Sequence, residues 1–323
     1  MEKIKGFKGF DKDLKCRGFQ YEVGKEYEQK GEIRCCKNGF HFCENPFDAL
    51  DYYNPATSRY CKVEGDGEID RGINKVAASH IYIGDELNWH SFINACVKFI
   101  FDKVNWNSVH MINSDNYSVA KNNCVYSVAM NAGFKSVATN TGDCSVAMNA
   151  GFKSVATNTG HCSMAMNDGK HSVAINFGEN SVATNTGDCS VAMNAGFKSV
   201  ATNTGHCSVA MNAGHCSMAM NDGKHSVATN TGDCSVAMNA GFKSVATNTG
   251  DNSTAKVGYK DSVAIVIGKN CKAAGVLDSW LVLTERDCNS EIVGMKAVKV
   301  DGTTIKADTY YALRNGEIVE VND

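Results

Sequence analysis

From Ser118 to Asn270 the apolar and polar positions return every nine residues, in the order Ser-Val-Ala-x-Asn-x-Gly-x-x. Serine opens seventeen successive units, Ser118 through Ser262, and Cys271 takes the next opening position, with no insertion between them. A short fixed period of this kind predicts stacked repeats, each burying its inner face only against its neighbours. Helix is disfavoured by a glycine in nearly every unit, with Ser, Asn and Thr between. Each unit therefore reads as a short strand and a corner, the seventh-position Gly supplying the positive φ of a tight turn. The repeat holds no proline, as expected where every backbone N–H joins a ladder. Two nonapeptides per coil, one on each face, predict a flattened parallel β-solenoid about 40 Å long at a strand spacing of ~4.8 Å.

Alternation along a strand places the first, third and fifth positions (Ser, Ala, Asn) on one side and the second and fourth on the other. The fourth position is mostly Met or Thr, and the two complement each other between successive units: Met130 with Thr139, Met148 with Thr157, Thr184 with Met193, Thr202 with Met211. A close-packed interior wants a constant volume per layer. This order therefore predicts that Val and Met/Thr point inward.

Either side of the repeat the period vanishes. Residues 1–107 form an aromatic-rich head in which the alternating runs Gly18–Val23 and Tyr60–Glu64 read as strands. Phe47–Tyr53, flanked by Pro46 and Pro55, reads as a short helix. Leu87, Phe92, Ile93, Val97, Ile100, Phe101 and Val104 recur at three- and four-residue spacing, predicting an amphipathic helix over about 86–104. That helix is placed to cover the first open edge of the stack. After the solenoid, assigned to 108–270, residues 271–323 read as a β cap. Its strands are Trp280–Leu283, Ala297–Val300 and Tyr310–Leu313, and an Asn315-Gly316 turn leads into Ile318–Val321. The expected class is mainly β: a flattened parallel β-solenoid of nonapeptide repeats, two per coil, with a small α+β N-terminal domain and a β C-terminal cap.

Charge and cysteine content narrow the partners. The net charge is −3 with no run of like charge, and the repeat holds ten lysines, eight acidic residues and no arginine. That argues against an electrostatic grip on nucleic acid or an anionic membrane. The fifteen cysteines are odd in number and many recur once per repeat, so they do not read as a disulfide framework. The first residues lack the apolar core of a signal peptide, and no apolar run reaches membrane-spanning length. The expected setting is a reducing cytosol.

The head segments Gly9–Tyr21 and Gly39–Glu44, the Asn-Thr-Gly repeats and the tail Val300–Lys306 together resemble an uncharacterised family common in bacteriophage and prophage genomes. The resemblance covers the whole chain. It implies a phage-encoded protein acting in the cytoplasm of the bacterial host, and brings no catalytic residues with it. Ser262–Gly268 is also similar to the left-handed β-roll of trimeric autotransporter adhesin heads, from which only solenoid geometry is taken. Gly39–Phe42 followed by Asn45–Tyr53 resembles the core of ADP-ribosyltransferase-like domains, which would require an acid late in the domain, Glu64 or Glu68.

Candidate chemistry gathers at the corners. His171, Cys189, Cys207 and His225 follow one another at the ninth position along one edge, with His206 just before Cys207. Thiolate and imidazole are the donors zinc prefers. Cys189, Cys207, His206 and His225 are therefore the candidate metal ligands, although ladder spacing spreads four donors over ~14 Å. Turn residues copied with their repeat are the simpler account. In the head, Cys35, Cys36, His41 and Cys43 match no paired-cysteine zinc spacing. The Thr-Asn-Thr runs switch faces along the rod, which spoils them as a lattice-matching array. Phe134, Phe152, Phe197 and Phe242 stand at corners and are the candidate contact anchors, since aromatic residues dominate binding hot spots.

These readings point to a non-enzymatic binding protein whose rod engages, and inhibits, a host macromolecule such as a defence component. The alternatives are an ADP-ribosyltransferase-like enzyme in residues 1–107 with the rod as spacer, and a virion-associated structural protein. The expected partner is a host protein, with homo-oligomerisation open and no role for a membrane.

Overall fold

The computed structural model describes residues 3–53, 58–103 and 110–321. The chain divides into two compact units, residues 1–99 and 100–323. In chain order the first holds β1 (Ile4–Phe10), β2 (Lys15–Cys16), β3 (Phe19–Gln20), β4 (Glu26–Glu28) and β5 (Phe40–Phe42). A one-turn helix α1 (Pro46–Ala49), the long strands β6 (Arg59–Arg71) and β7 (Val76–Leu87), and α2 (Trp89–Lys103) follow. β1 pairs antiparallel with β6 and β6 with β7, while β4 and β5 share the far edge of β7. Phe10, Phe40, Phe42, Val63, Ile81 and Ile83 bury together as the core of this sheet. Gly9 sits where the chain admits no side chain, since a Cβ there would lie 2.3 Å from the Tyr53 ring.

The strand expected over 18–23 shrinks to β3 because Tyr21 turns into the core and Gly24, at φ +82°, ends the run. The helix expected over 47–53 is the single turn α1, with the Asn45 side chain accepting the Phe47 N–H at 3.1 Å and Pro46 in the first turn. α2 begins later than expected, since Glu86 and Leu87 still belong to β7. Asn88 caps it by accepting the Ser91 N–H at 2.9 Å, and Phe92 packs its ring 4.7 Å from that of Tyr60. The other apolar positions of the expected stripe, Ile93, Val97, Ile100, Phe101 and Val104, lie outside the described side chains.

In the second unit four-residue strands begin at every ninth position from His110–Asn113 to Lys272–Gly275. Each pairs in parallel with the strand two units away, Val128 with Val146 and Val137 with Val155. Alternate strands thereby build two sheets of twelve and eleven strands, a parallel β-solenoid with two nonapeptides per coil. The parallel stacking runs past 270, because Trp280–Val282 still pairs with Val263–Ile265. Antiparallel strands then finish both sheets: Ile292–Lys299 on Trp280–Arg286, and the Tyr311–Arg314/Glu317–Glu320 hairpin, through Ala273, on Lys272–Gly275.

The interior departs from the expectation from volume, and at the second position it does so along one sheet only. Ser, Ala and Asn are buried in both sheets, as at Ser172, Ala174 and Asn176, all 0 % exposed. The third-position alanines of the two sheets form one continuous core column from Ala120 to Ala228. The fourth position is half-exposed in both sheets, so its side chains lie on the outer faces. Met130 and Thr139 thus lie on the outer faces of opposite sheets and share no layer. The second position is nevertheless buried along the twelve-stranded sheet, as at Val146, Met164 and Val182, and half-exposed along the eleven-stranded one.

Polar residues can occupy so thin an interior because each is paired. The Asn176 amide nitrogen donates to the carbonyls of Ser163 at 2.9 Å and Val182 at 3.1 Å, and its oxygen accepts the Gly178 N–H at 3.0 Å. The Ser172 hydroxyl donates to the Gly151 carbonyl at 3.1 Å and accepts the Ser154 N–H at 3.0 Å. The same pattern recurs from coil to coil, so the burial of a polar core leaves its donors and acceptors satisfied.

The corners also differ from expectation. The left-handed residue is the ninth, at φ 51–57° in Cys, Lys, His, Asn, Asp and Tyr alike. Its strain is offset by a backbone bond to the next coil, as from the Cys189 N–H to the His206 carbonyl at 2.8 Å. The seventh-position glycine serves close approach instead: a Cβ on Gly196 would lie 1.9 Å from the Gly178 carbonyl oxygen. Replacing Asn194 by Ala removes its amide's bonds to the Ser181 and Val200 carbonyls and takes the acceptor from the Gly196 N–H. It is expected to cost about 2–4 kcal/mol in a urea titration, against less than about 0.5 kcal/mol for Thr157→Ser on the outer face. Equal midpoints for the two variants would remove the asparagine ladder as the stabilising element.

Candidate functional site

The head contains a cavity of about 710 Å³ lined by β1, the β2–β3 ribbon, β5 and the turn around Lys37–Gly39. Lys8, in the middle of β1, is only 4 % exposed. Its ammonium donates to the His41 carbonyl at 2.7 Å and lies 3.7 Å from the Cys16 sulfur. The faces of Phe10 and Tyr21 stand 5.5 Å from the same nitrogen. Burial holds the Lys8 pKa below that of an ordinary lysine. The Cys16 sulfur also accepts the Tyr53 hydroxyl at 2.8 Å, and burial raises that phenol's pKa.

His41 lies beside this group on β5, and its Nε2 accepts the Cys36 N–H at 2.8 Å. Burial first, and the Lys8 charge second, lower its pKa. Cys43 is buried, and burial pushes its thiol up to about 12. The rings of Phe19, Tyr21, Tyr27 and Phe40 form an edge-to-face cluster that continues the lining from Tyr21. Neither acid expected for transferase chemistry lines the cavity. Glu64 faces Lys3 and Lys5 at 3.7 and 3.9 Å, and a Glu68 carboxylate oxygen accepts the Ile33 N–H at 3.4 Å. The lining carboxylate is Glu28.

Along the solenoid the four expected anchors do not form one patch. Phe134 and Phe152 stack on successive coils, centroids 5.7 Å apart and planes 8° from parallel. Tyr117 continues this ladder at 5.9 Å on one side and His171 at 5.3 Å on the other. Lys135 and Lys153 place their ammonium groups 5.2 and 5.4 Å from the Phe134 and Phe152 ring centres. Phe242 shares that edge farther along, between His225 at 6.1 Å and Tyr259 at 5.4 Å. Phe197 belongs to the opposite edge, with Lys198 4.8 Å from its ring.

The expected metal donors also remain apart. Cys189, Cys207 and His225 occupy successive ninth positions of one edge, and both thiols are exposed. His206 is engaged locally: its N–H donates to Asp188 at 3.0 Å and its Nδ1 accepts the Lys224 N–H at 3.1 Å. Among the described residues no three His, Cys, Asp or Glu side chains converge as a metal site.

One exposed residue escaped sequence reasoning. Phe177 is 56 % exposed on the eleven-stranded sheet, beside Ile175, Met193 and Met211 in a shallow groove of about 120 Å³. Its signal was the sixth repeat position, which elsewhere is mostly Ala, Thr or Asp and here holds Phe. Outward orientation of the fourth position, which groups it with Ile175 and the methionines, was not legible without the fold.

Residues 4–95 match a family described as a domain of unknown function (DUF7666). That match agrees with the expectation of an N-terminal domain of unknown function and does not extend into the repeat. No curated protein and no solved structure matches the chain. No described helix is long and apolar enough to cross a membrane.

The His41 environment gives a pH dependence. Its folded pKa lies below the ordinary value of ~6.5, so its stabilising contribution is fully present above that pH and is lost as pH falls through the depressed value. The urea midpoint is expected to fall between about pH 7 and pH 5, and to fall less in His41→Gln. Parallel profiles for the two proteins would show that His41 carries no such linkage.

Proposed function

We propose that the chain is a phage-encoded, non-enzymatic binding protein whose solenoid edge engages a host protein in the bacterial cytoplasm and obstructs it. The observation that carries this reading is the ladder Tyr117–Phe134–Phe152–His171, with Lys135 and Lys153 beside its rings. Stacked rings on a backbone held rigid from coil to coil lose little freedom on binding, which favours them as anchors. Flanking ammonium groups suit a partner surface that is apolar at its centre and acidic around it. Exposed thiols such as Cys189 and Cys207, outside any disulfide, suit a reducing compartment. A second edge cluster, His225–Phe242–Tyr259, offers the same chemistry at a distance along the rod, which permits two-point attachment.

The test is a pull-down from host lysate with the full chain and two variants, read by mass spectrometry and by affinity for the captured protein. Phe134→Ser/Phe152→Ser is expected to weaken retention of one stoichiometric partner by at least about tenfold. Phe197→Ser, on the other edge, is expected to leave it unchanged. Since the rings face outward, neither change should move the melting temperature beyond surface-substitution effects. Undiminished retention by the double variant, or failure to capture any stoichiometric partner, overturns the reading.

A further inference from the structure

We infer that the head cavity binds a small organic anion attached to a planar ring, with the Lys8 ammonium as the charge that meets the anion. This site is independent of the solenoid edge. Lys8 is buried on a strand, yet among the described residues no carboxylate lies within ion-pair reach of it. Its contacts are a carbonyl, a thiol and two ring faces, which together use two of its three N–H donors in hydrogen bonds. A buried ammonium without a counter-ion is costly, and is normally paired or neutralised. Among the described lining residues Lys8, Arg17, Lys37 and Lys75 face one carboxylate, Glu28, which makes no ion pair with Lys8.

An excess of cations around one concave volume, in a chain whose net charge is negative, selects an anionic guest. The aromatic lining beside Lys8 sets the rest of the guest. Phe19, 48 % exposed, and its neighbours Tyr21, Tyr27 and Phe40 present ring edges and faces to the cavity. Such a wall favours a flat apolar body over a bare inorganic ion. The depressed proton affinity of Lys8 follows from burial, and a bound anion would raise it again. The competing account is that Lys8 is satisfied by Phe10 and Tyr21 and serves only the core.

Phosphate and carboxylate are two sources of the same anion chemistry, so the experiment uses matched probes. Affinities of the full chain for phenyl phosphate, benzoate, benzyl alcohol and inorganic phosphate are measured by calorimetry and by shifts in melting temperature. At least one of the two ring-bearing anions is expected to bind about tenfold or more tightly than both the neutral ring and bare phosphate, and which one leads identifies the acid group. Lys8→Met, which keeps the stem and removes the charge, is expected to lose at least about tenfold of that affinity. Unchanged affinity in a folded Lys8→Met, equal binding of benzyl alcohol or inorganic phosphate, or no binding of either ring anion overturns the site. Should Lys8→Met not fold, Arg17→Ala/Lys37→Ala decides, since both side chains are exposed: weakened ring-anion binding supports the site and unchanged binding overturns it.

Discussion

The asparagine at the fifth repeat position is the part on which the rest of the solenoid depends. Through one carboxamide, Asn176 bonds to the carbonyls of Ser163 and Val182 and accepts the N–H of Gly178, joining backbone groups on both sides of a corner. A buried backbone group without a partner is destabilising by an amount comparable to a lost hydrogen bond. Because the amide reaches backbone on both sides of a corner, it fixes the corner shape and the register together. The alanine column lines the same interior. Its alanines come from both sheets and are buried beside these amides.

With the inner positions so constrained, variation is pushed outward. Eighth- and ninth-position side chains play little part in the interior network, since their backbone N–H and carbonyl groups carry the coil-to-coil bonds, as between Lys135 and Phe152. The corner therefore accepts Phe-Lys, Asp-Cys, His-Cys or Lys-His without altering the coil. Neighbouring corners also adjust to one another, as where Asp188 accepts the His206 N–H and His206 accepts that of Lys224. Such a scaffold can present a ladder of rings on one stretch and a run of charged side chains on the next, which is the physical basis for reading its edges as recognition surfaces.

The head works by a different logic. Its antiparallel sheet has a sizeable aromatic core, and Lys8 is carried into the interior on β1 because its neighbours on that strand must pack. The solenoid pairs its first-position serines and fifth-position asparagines from coil to coil. The head buries a cation whose hydrogen-bonded partners are a carbonyl and a thiol. A fully paired interior is a stability device, whereas a charge without a counter-charge at a cavity wall is a feature for a guest to complete.

The sequence by itself determined the solenoid, its two units per coil and its β cap, because a nine-residue period without insertions fits few architectures. It also placed Phe134 and Phe152 at corners, which needs only the repeat register. It did not determine which side of each strand faces in. Alternation divides Ser, Ala and Asn from Val and Met/Thr without saying which set is buried; the first set is buried in both sheets, and of the second only the second position, along one sheet. The hydrogen-bond demand of two closely approaching backbones outweighed apolar volume, a comparison that requires the coil to be closed. Tertiary structure likewise decided that Phe134 stacks on Phe152 while Phe197 stands on the other edge, since eighteen-residue pairing separates odd from even units. It alone brought Lys8, Cys16, His41 and Tyr53 together, for they lie on separate segments whose meeting depends on β1, β5 and the loop after α1 packing as one core.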